Sequence, residues 1–361
     1  MNKKNFFLKE KTFYLKNKIF NSNRTFITNT IWFFVLKKNN KIIGIGECNP
    51  LLDTFKDSNQ FKFKEELDKV YKKVISLKKT KICYYHKYIS YPSILFGLEQ
   101  VLLSLKNKFP VLYNSKFVNG KEGVPVNGLI WLNSFNKKKE NNVMKYIGDK
   151  IMEGFSFIKI KINTKLFNYQ YFILKKIKKK YPIAKIRIDA NGCFNNVKDT
   201  LFYLNKLYEL NMVCSIEQPI LSGNWKYMSE ICKQSKIPIA LDEELKGINN
   251  LENKKRLLDF IKPKYIVIKP SINGGFFGSK EWILEAKKRE IKWWISSSLE
   301  SNIGINAIAQ WTFIIDKKYK NKINVHGLNT GFLYINNWES PLEIKKGSIW
   351  YNPLLKWKIK I

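Results

Sequence analysis

Five ionisable residues follow short apolar segments at a nearly constant interval along the middle of the chain. They are Lys161, Asp189, Glu217, Asp242 and Lys269, and neighbouring members are separated by 25 to 28 residues. A strand, a helix and their two loops occupy about 25–30 residues, so this interval predicts a series of strand–helix units with charged strand ends. Such a set of acids and lysines could bind a divalent cation and move a proton beside a carboxylate.

The three acids would repel one another strongly if they met around a common axis. A divalent cation with oxygen ligands would relieve this repulsion. We expect Mg²⁺, with Mn²⁺ as the alternative, in a site that keeps positions open for substrate. No His or Cys stands beside the acids at ligand spacing, which argues against zinc. Taken singly, each acid could instead cap a helix or pair with a surface lysine.

Lys159 and Lys161 are two residues apart in an apolar segment, so their side chains lie on the same side of a strand. If the isoleucines of this segment face the covering helices, the two lysines face the interior. Burial, a second ammonium group and a bound dication would each lower a lysine pKa towards that of a general base. Lys269 would approach from the opposite side. The alternative is that these lysines extend to solvent, as is common in a Lys-rich chain.

The elements that must position these residues form a repeated pattern. Counting the segment 124–131 first, eight apolar segments are predicted as strands, the last over 323–328. Seven of them are followed by clear helices, and the unit after the eighth is irregular. Eight strand–helix units favour a closed (β/α)₈ barrel of the TIM type over an open sheet, and catalytic groups then lie at the carboxyl ends of the strands.

Both chain ends lie outside this repeat. Residues 5–20, 24–37 and 41–47 predict an antiparallel meander, and a long loop over 48–60 and helices over 63–77 and 93–107 follow it. The segment 341–361 returns to short strands, and we expect it to pair with the meander. The predicted domains are an α+β capping domain of residues 1–120, completed by 335–361, and a (β/α)-barrel catalytic domain of residues 121–334.

Composition limits the classes of function. The net charge of +36, from 65 Lys and Arg against 29 Asp and Glu, is spread along all 361 residues and accompanies no nucleic-acid-binding signature. We therefore predict a small-molecule carboxylate as the substrate, with neither nucleic acid nor a membrane as partner.

Five cysteines without a C-x-x-C pair indicate reduced thiols, and the Lys-rich start resembles no signal peptide, so we expect a cytoplasmic protein. The sequence leaves open whether the chain forms a homo-oligomer.

The motifs that carry this pattern resemble those of the muconate lactonizing enzyme subgroup of the enolase superfamily. They are Lys-x-Lys at 159–161, Asp-Ala-Asn at 189–191, Ile-Glu-Gln-Pro at 216–219, Leu-Asp-Glu at 241–243 and Ile-Lys-Pro at 268–270. The resemblance covers nearly the whole chain. It implies that Asp189, Glu217 and Asp242 are Mg²⁺ ligands, that Asn191 and Glu243 support them together with Lys159, and that Lys161 and Lys269 are the catalytic lysines facing the substrate α-carbon.

The late strands distinguish between reactions of this subgroup. Mandelate-racemase-like members use a histidine base there, whereas this chain has Ser296-Ser297-Ser298, and we interpret His326 as structural. Dipeptide epimerases carry an Asp-x-Asp on the eighth strand, which residues 326–329 lack. The resemblance thus implies a dehydratase, with Ser297 and Ser298 binding a substrate carboxylate near a helix N-terminus. Racemase or epimerase activity, or a basic binding protein on a decayed barrel, are the alternatives.

Overall fold

The structure is a computed structural model that describes residues 4–20, 25–51, 60–74, 82–86, 88–131, 140–321, 323 and 325–361. Its strands are β1 (Lys4–Phe20), β2 (Thr25–Lys38), β3 (Lys41–Cys48), β4 (Val124–Pro125), β5 (Gly128–Trp131), β6 (Phe157–Lys161), β7 (Lys185–Asp189), β8 (Val213–Glu217), β9 (Ile239–Leu241), β10 (Tyr265–Ile268), β11 (Lys292–Ile295), β12 (Leu342–Lys345) and β13 (Ser348–Tyr351). Its helices are α1 (Gln60–Val74), α2 (Ile82–His86), α3 (Pro92–Asn107), α4 (Glu140–Met152), α5 (Phe167–Lys180), α6 (Val197–Glu209), α7 (Trp225–Gln234), α8 (Leu251–Ile261), α9 (Gly275–Lys288) and α10 (Asn302–Tyr319). Most of the predicted 48–60 loop lies outside the described residues.

The N-terminal strands β1, β2 and β3 form the antiparallel meander that the sequence predicts. One face of this sheet packs on α1 and α3 through Trp32 and Phe34. The other face presents Phe13 and Phe33 to Trp338, which comes from the C-terminal part of the chain. The sheet is therefore covered on both sides, which accounts for its apolar sequence.

The middle of the chain forms a seven-stranded parallel sheet in the order β5 to β11 with helices between the strands. Sequence neighbours pair directly, so the sheet curls as a (β/α) barrel, and this confirms the predicted fold class. Lys161 pairs with Asp189, and Asp189 pairs with Glu217, so the register brings three charged residues to one level. Among the described residues, no helix is both long and apolar enough to cross a membrane.

The eighth strand predicted over 323–328 is reduced to isolated bridges between Val126 and His326 and between Ser296 and Gly327. Residues 322 and 324 lie outside the described part of this segment. The His326 ring is buried, with Nδ1 accepting a hydrogen bond from the Ile295 amide (3.0 Å) and Nε2 lying 2.7 Å from Asp316 Oδ2. These contacts support the structural interpretation of His326, because both ring nitrogens are engaged away from the charged strand ends.

Two predictions about strand pairing are wrong, one for the segment 124–131 and one for the C-terminal segment. The segment 124–131 is not one strand, because β4 leaves the barrel and pairs antiparallel with β13. The C-terminal hairpin β12–β13 consequently adds to β4 and not to the meander, and the buried side chain of Ile349 joins the barrel core there. The last residues do reach the meander, where Ile359 and Ile361 pack in the cluster on its barrel-facing side. The predicted domain boundaries stay a prediction.

A buried carboxylate joins α3 to the start of α9. Glu99 accepts hydrogen bonds from the amides of Phe276 and Phe277, the latter at 2.9 Å, and burial raises the pKa of Glu99 to about 8. Between the ordinary glutamate pKa of 4.5 and this value, the folded chain keeps a proton on Glu99 that the unfolded chain has released. Stability present at low pH is therefore lost as the pH rises through this window.

We expect the free energy of unfolding to carry a contribution from Glu99 that falls by about 1–3 kcal/mol between pH 5 and pH 8. Glu99→Gln, which resembles the protonated carboxyl group, should remove that part of the pH dependence. Urea unfolding at both pH values would measure it. The exposed Glu209→Gln should keep the wild-type dependence, and an equally steep fall in Glu99→Gln would contradict the assignment.

Candidate active site

The carboxyl ends of β6 to β10 bring the predicted charged residues around one cavity of about 130 Å³. On β6, Ile158 and Ile160 are in the core, so Lys159 and Lys161 face the interior, as the alternation predicts. The site residues that line the cavity are Lys159, Lys161, Asp189, Asn191, Glu243, Lys246, Lys269, Ser296, Ser297 and Ser298. Glu217 and Asp242 lie behind this wall, in contact with its lysines.

The same alternation places Arg187 one layer below Asp189 on β7. Its Nη1 donates to the Val325 carbonyl (2.8 Å), and its guanidinium lies 4.3 Å from the centre of the Trp294 ring. These groups close the interior beneath the cavity. The sequence analysis missed Arg187, although its position two residues before Asp189 in an alternating strand was a usable signal.

Each predicted acid contacts a predicted lysine. Lys159 Nζ lies 2.8 Å from Asp189 Oδ2 and 2.6 Å from Glu217 Oε1. Lys161 Nζ is 3.5 Å from the same oxygen of Asp189. The Lys269 ammonium contacts Asp242 Oδ2 directly. The structure therefore gathers these acids and lysines into one buried network that extends from β6 to β10.

Asn191 connects two members of this network. Its Oδ1 accepts a hydrogen bond from Lys161 Nζ (2.6 Å), and its Nδ2 donates to Glu243 Oε1 (3.1 Å). Its own amide donates to Asp189 Oδ1 (3.2 Å). Asn191 has a left-handed φ of 43°, which asparagine tolerates better than most residues. This backbone turn directs the side chain across the strand ends and holds Lys161 in place.

The carboxylates control the protonation of the lysines. Burial lowers the pKa of Lys159, but Asp189 and Glu217 raise it by more, so its pKa lies above the ordinary value. Burial and Asp242 have the same opposed effects on Lys269, whose pKa is also raised. The lowered lysine pKa predicted from the sequence is therefore not found at these two residues, because the acids lie against their ammonium groups. Burial and the Asp189 charge raise the pKa of Glu217.

The acids offer the ligands that a hard divalent cation needs. As placed, no three His, Cys, Asp or Glu side chains in the described part of the chain are arranged to hold a metal ion, since the acids contact lysines. Glu217 Oε2 and Glu243 Oε2 are nevertheless buried without a hydrogen-bond partner among the described residues. A buried carboxylate oxygen in that state is costly, and a cation would satisfy it. The donor set therefore fits an oxygen-liganded dication.

The predicted serines lie at the opposite wall of the cavity. Ser297 Oγ donates to the Gly327 carbonyl (2.8 Å), and the Ser298 amide donates to Glu300 Oε2. The Ser297 hydroxyl thus helps to join β11 to the segment that closes the barrel. Their predicted role in substrate binding stays a prediction.

Glu47 was missed by the sequence analysis, which singled out only the loop after it. This carboxylate comes from β3 of the meander and is fully buried. It accepts hydrogen bonds from the Ser301 amide (3.0 Å), the Ser301 hydroxyl (2.6 Å) and the Gly304 amide (2.8 Å). Beside it, Glu300 accepts from the Ser271 hydroxyl (2.5 Å). The start of α10, and with it the serine wall, is therefore fixed to the meander.

Ser301→Ala should lower the free energy of unfolding by about 2–4 kcal/mol. The change removes the helix cap on the Ile303 amide and also one hydrogen-bond donor to the buried Glu47 carboxylate. Asn250→Ala removes an exposed cap of α8 and should cost only about 1 kcal/mol. Chemical denaturation of both variants measures the difference. Equal losses would show that the contact with Glu47 adds nothing.

Comparison with known proteins agrees with this fold. Residues 146–351 match the family model described as enolase C-terminal domain-like. The chain belongs to the enolase superfamily. Within the superfamily, it is 38% identical over 262 residues to the o-succinylbenzoate synthase of Desulfotalea psychrophila, which covers 71% of this chain and 67% of that protein.

A solved structure and a second relative extend the comparison. The crystal structure of MenC from Desulfotalea psychrophila matches with a TM-score of 0.73 and 29% identity, over 96% of this chain and 99% of that chain. An L-amino acid-D/L-Glu epimerase from Sulfurimonas denitrificans is 29% identical over 181 residues, 50% of each protein. The proteins that this chain resembles therefore carry names for different reactions.

Proposed function

We propose that this member of the enolase superfamily has o-succinylbenzoate synthase activity in the cytoplasm, as a step of menaquinone biosynthesis. It would dehydrate 2-succinyl-6-hydroxy-2,4-cyclohexadiene-1-carboxylate to 2-succinylbenzoate. The observation that carries the proposal is the presence of Lys161 and Lys269 on different strands of one cavity, each held by an acidic or amide partner. The similarity to the Desulfotalea synthase supports the choice of substrate.

In this reaction, Lys161 acts as the base. Its neutral amine takes the proton α to the ring carboxylate, so the C–H electron pair moves towards the carboxylate carbon and negative charge develops on the carboxylate oxygens. The electrons then return from the carboxylate to form the third double bond of the ring, and the hydroxyl group leaves with its bonding pair. It receives the same proton from Lys161, which forms water on the same face of the ring. The product is aromatic, so the second step is strongly downhill, and the main demand on the protein is positioning.

Lys269 supplies a fixed positive charge. Asp242 contacts its ammonium and raises the lysine pKa, which keeps the group protonated while negative charge develops on the substrate. Asn191 holds the Lys161 amine on the substrate side of β6 through their 2.6 Å contact. The two lysines therefore have different partners and different proposed roles.

Asp189, Glu217 and Asp242 are the proposed ligands of Mg²⁺, or of Mn²⁺, and Glu243 and Asn191 support them. A bound dication would act as a Lewis acid on the substrate carboxylate. Lys159 would compensate the charge of Asp189 and Glu217 from below, where its ammonium lies within 2.8 Å of both.

The second candidate is racemisation or epimerisation of N-acylamino acids or dipeptides. Two lysines on different strands of one cavity could remove and return an α-proton on opposite faces, and the Sulfurimonas epimerase is a relative. Against dipeptide epimerisation, the segment 326–329 lacks the Asp-x-Asp that the resemblance associates with dipeptide epimerases.

An absorbance assay of the cyclohexadiene acid, with Mg²⁺ and with excess EDTA, tests the proposal. We expect rapid loss of the diene with Mg²⁺ and none with EDTA. Polarimetry with N-succinylamino acids should be run in parallel. Rapid racemisation together with an untouched diene would refute the proposed reaction.

A further inference from the structure

A further lysine, Lys246, lines the same cavity and has no role in the proton transfer described above. It follows the short 3-10 turn Glu243–Leu245 that extends from β9. Its side chain is partly buried, and burial lowers its pKa. Glu243, Lys269 and Lys161 are near enough to shift that pKa as well, so the ammonium belongs to the charge cluster of the site.

The other lysines of the cavity indicate what Lys246 would bind. Four lysines line the cavity, and the proposed reaction uses three of them. Lys159 and Lys269 contact the proposed metal ligands, and Lys161 acts as the base. Lys246 is the fourth, and its positive charge suits a carboxylate other than the one at the reacting carbon.

The remaining wall of the cavity suits the chain between two carboxylates. Ile19 and Phe26, from β1 and β2 of the meander, line it together with Leu51 and Leu299. Apolar side chains of this kind pack against methylene groups and contribute little to binding a charge. The wall therefore provides for the carbon atoms of a ligand, and a cationic group is needed for a second carboxylate.

We propose that Lys246 determines specificity by binding the second carboxylate of a dicarboxylate substrate, the one remote from the reacting carbon. The inference rests on the proposed function for the identity of that group, which would be the succinyl carboxylate. Lys246 would thereby select succinyl compounds over compounds of the same shape that lack the remote carboxylate.

Calorimetric binding with Mg²⁺ present tests this with matched ligands. In 2-butyrylbenzoate, a methyl group replaces the remote carboxylate of 2-succinylbenzoate. Lys246→Met should weaken 2-succinylbenzoate about 10- to 100-fold, because a charge-assisted hydrogen bond is lost, and should change 2-butyrylbenzoate less than about twofold. Lys246→Arg keeps the positive charge and should retain most of the wild-type affinity for 2-succinylbenzoate. The exposed Lys233→Met is the control and should bind both ligands as the wild type does.

A second pair, N-succinyl-L-phenylalanine and N-butyryl-L-phenylalanine, separates this inference from the proposed reaction. If the diene is not dehydrated but Lys246→Met weakens only the succinyl compounds, the reaction is wrong and the role of Lys246 stands. If Lys246→Met weakens both members of a pair equally, or neither, the role of Lys246 is overturned even when dehydration is fast. Failure of the wild type to bind either succinyl compound also overturns it. Thermal unfolding checks each variant, with Lys246→Gln as the replacement if Lys246→Met does not fold.

Discussion

Lys161→Ala is expected to lower the turnover number for dehydration by about 10⁴-fold, the upper range for loss of a general base. The physical reason is that the amine transfers the same proton twice, from the α-carbon and then to the departing hydroxide. The neighbouring Lys159 cannot replace it, because its ammonium is held between Asp189 and Glu217 and its pKa is raised. The initial rate of diene loss at saturating Mg²⁺ measures the effect.

Two further variants make this result interpretable. Lys165→Ala removes an exposed lysine four residues away and should retain the wild-type rate. Lys161→Arg keeps the charge but not the basicity, so it should be nearly as inactive as Lys161→Ala. If Lys161→Ala kept a rate within about tenfold of the wild type while folded, another group would have to be the base.

Glu217→Gln is expected to weaken Mg²⁺ binding by about 100-fold or more and to abolish dehydration at ordinary Mg²⁺ concentrations. Glu217 lies on the middle of three adjacent strands that carry the proposed ligands, and its Oε2 is buried without a partner among the described residues. An amide removes the negative charge from that position and places a donor or a weaker neutral acceptor there. Calorimetric titration with Mg²⁺ gives the affinity, and the diene assay gives the rate.

The matched control for this variant is Glu230→Gln on the exposed surface of α7, which should leave both quantities unchanged. High Mg²⁺ should restore part of the rate of Glu217→Gln if the defect is affinity. Unchanged Mg²⁺ affinity in folded Glu217→Gln would remove Glu217 from the ligand set. Wild-type protein that bound no Mg²⁺ would refute the whole proposed metal site.

The strand ends were predictable because two periods coincide in the sequence. Alternation within Ile158–Ile162 separates inward lysines from outward isoleucines, and the repeat of about 27 residues places successive acids on neighbouring strands. Both rules are local, so they needed no knowledge of distant contacts. The network of Lys159, Asp189 and Glu217 follows from them.

The residues that the sequence did not reveal are brought in from far along the chain. Glu47 reaches Ser301 across 254 positions, and no spacing rule connects a meander strand to a late helix. The pairing of β13 with β4 was missed for the same reason, because short strands of similar composition could join either sheet. Lys246 could not be singled out from the sequence, because the chain has many lysines and only the surroundings of this one distinguish it.

The short segment that closes the barrel also protects the two edges of the parallel sheet. β5 and β11 would otherwise present unpaired backbone groups, which can recruit a strand from another molecule. The Asn127 amide donates to the His326 carbonyl, the Gly327 amide donates to the Ile295 carbonyl, and the imidazole of His326 accepts from the Ile295 amide. A histidine side chain therefore substitutes for a strand carbonyl, and a few residues remove an edge that would favour aggregation.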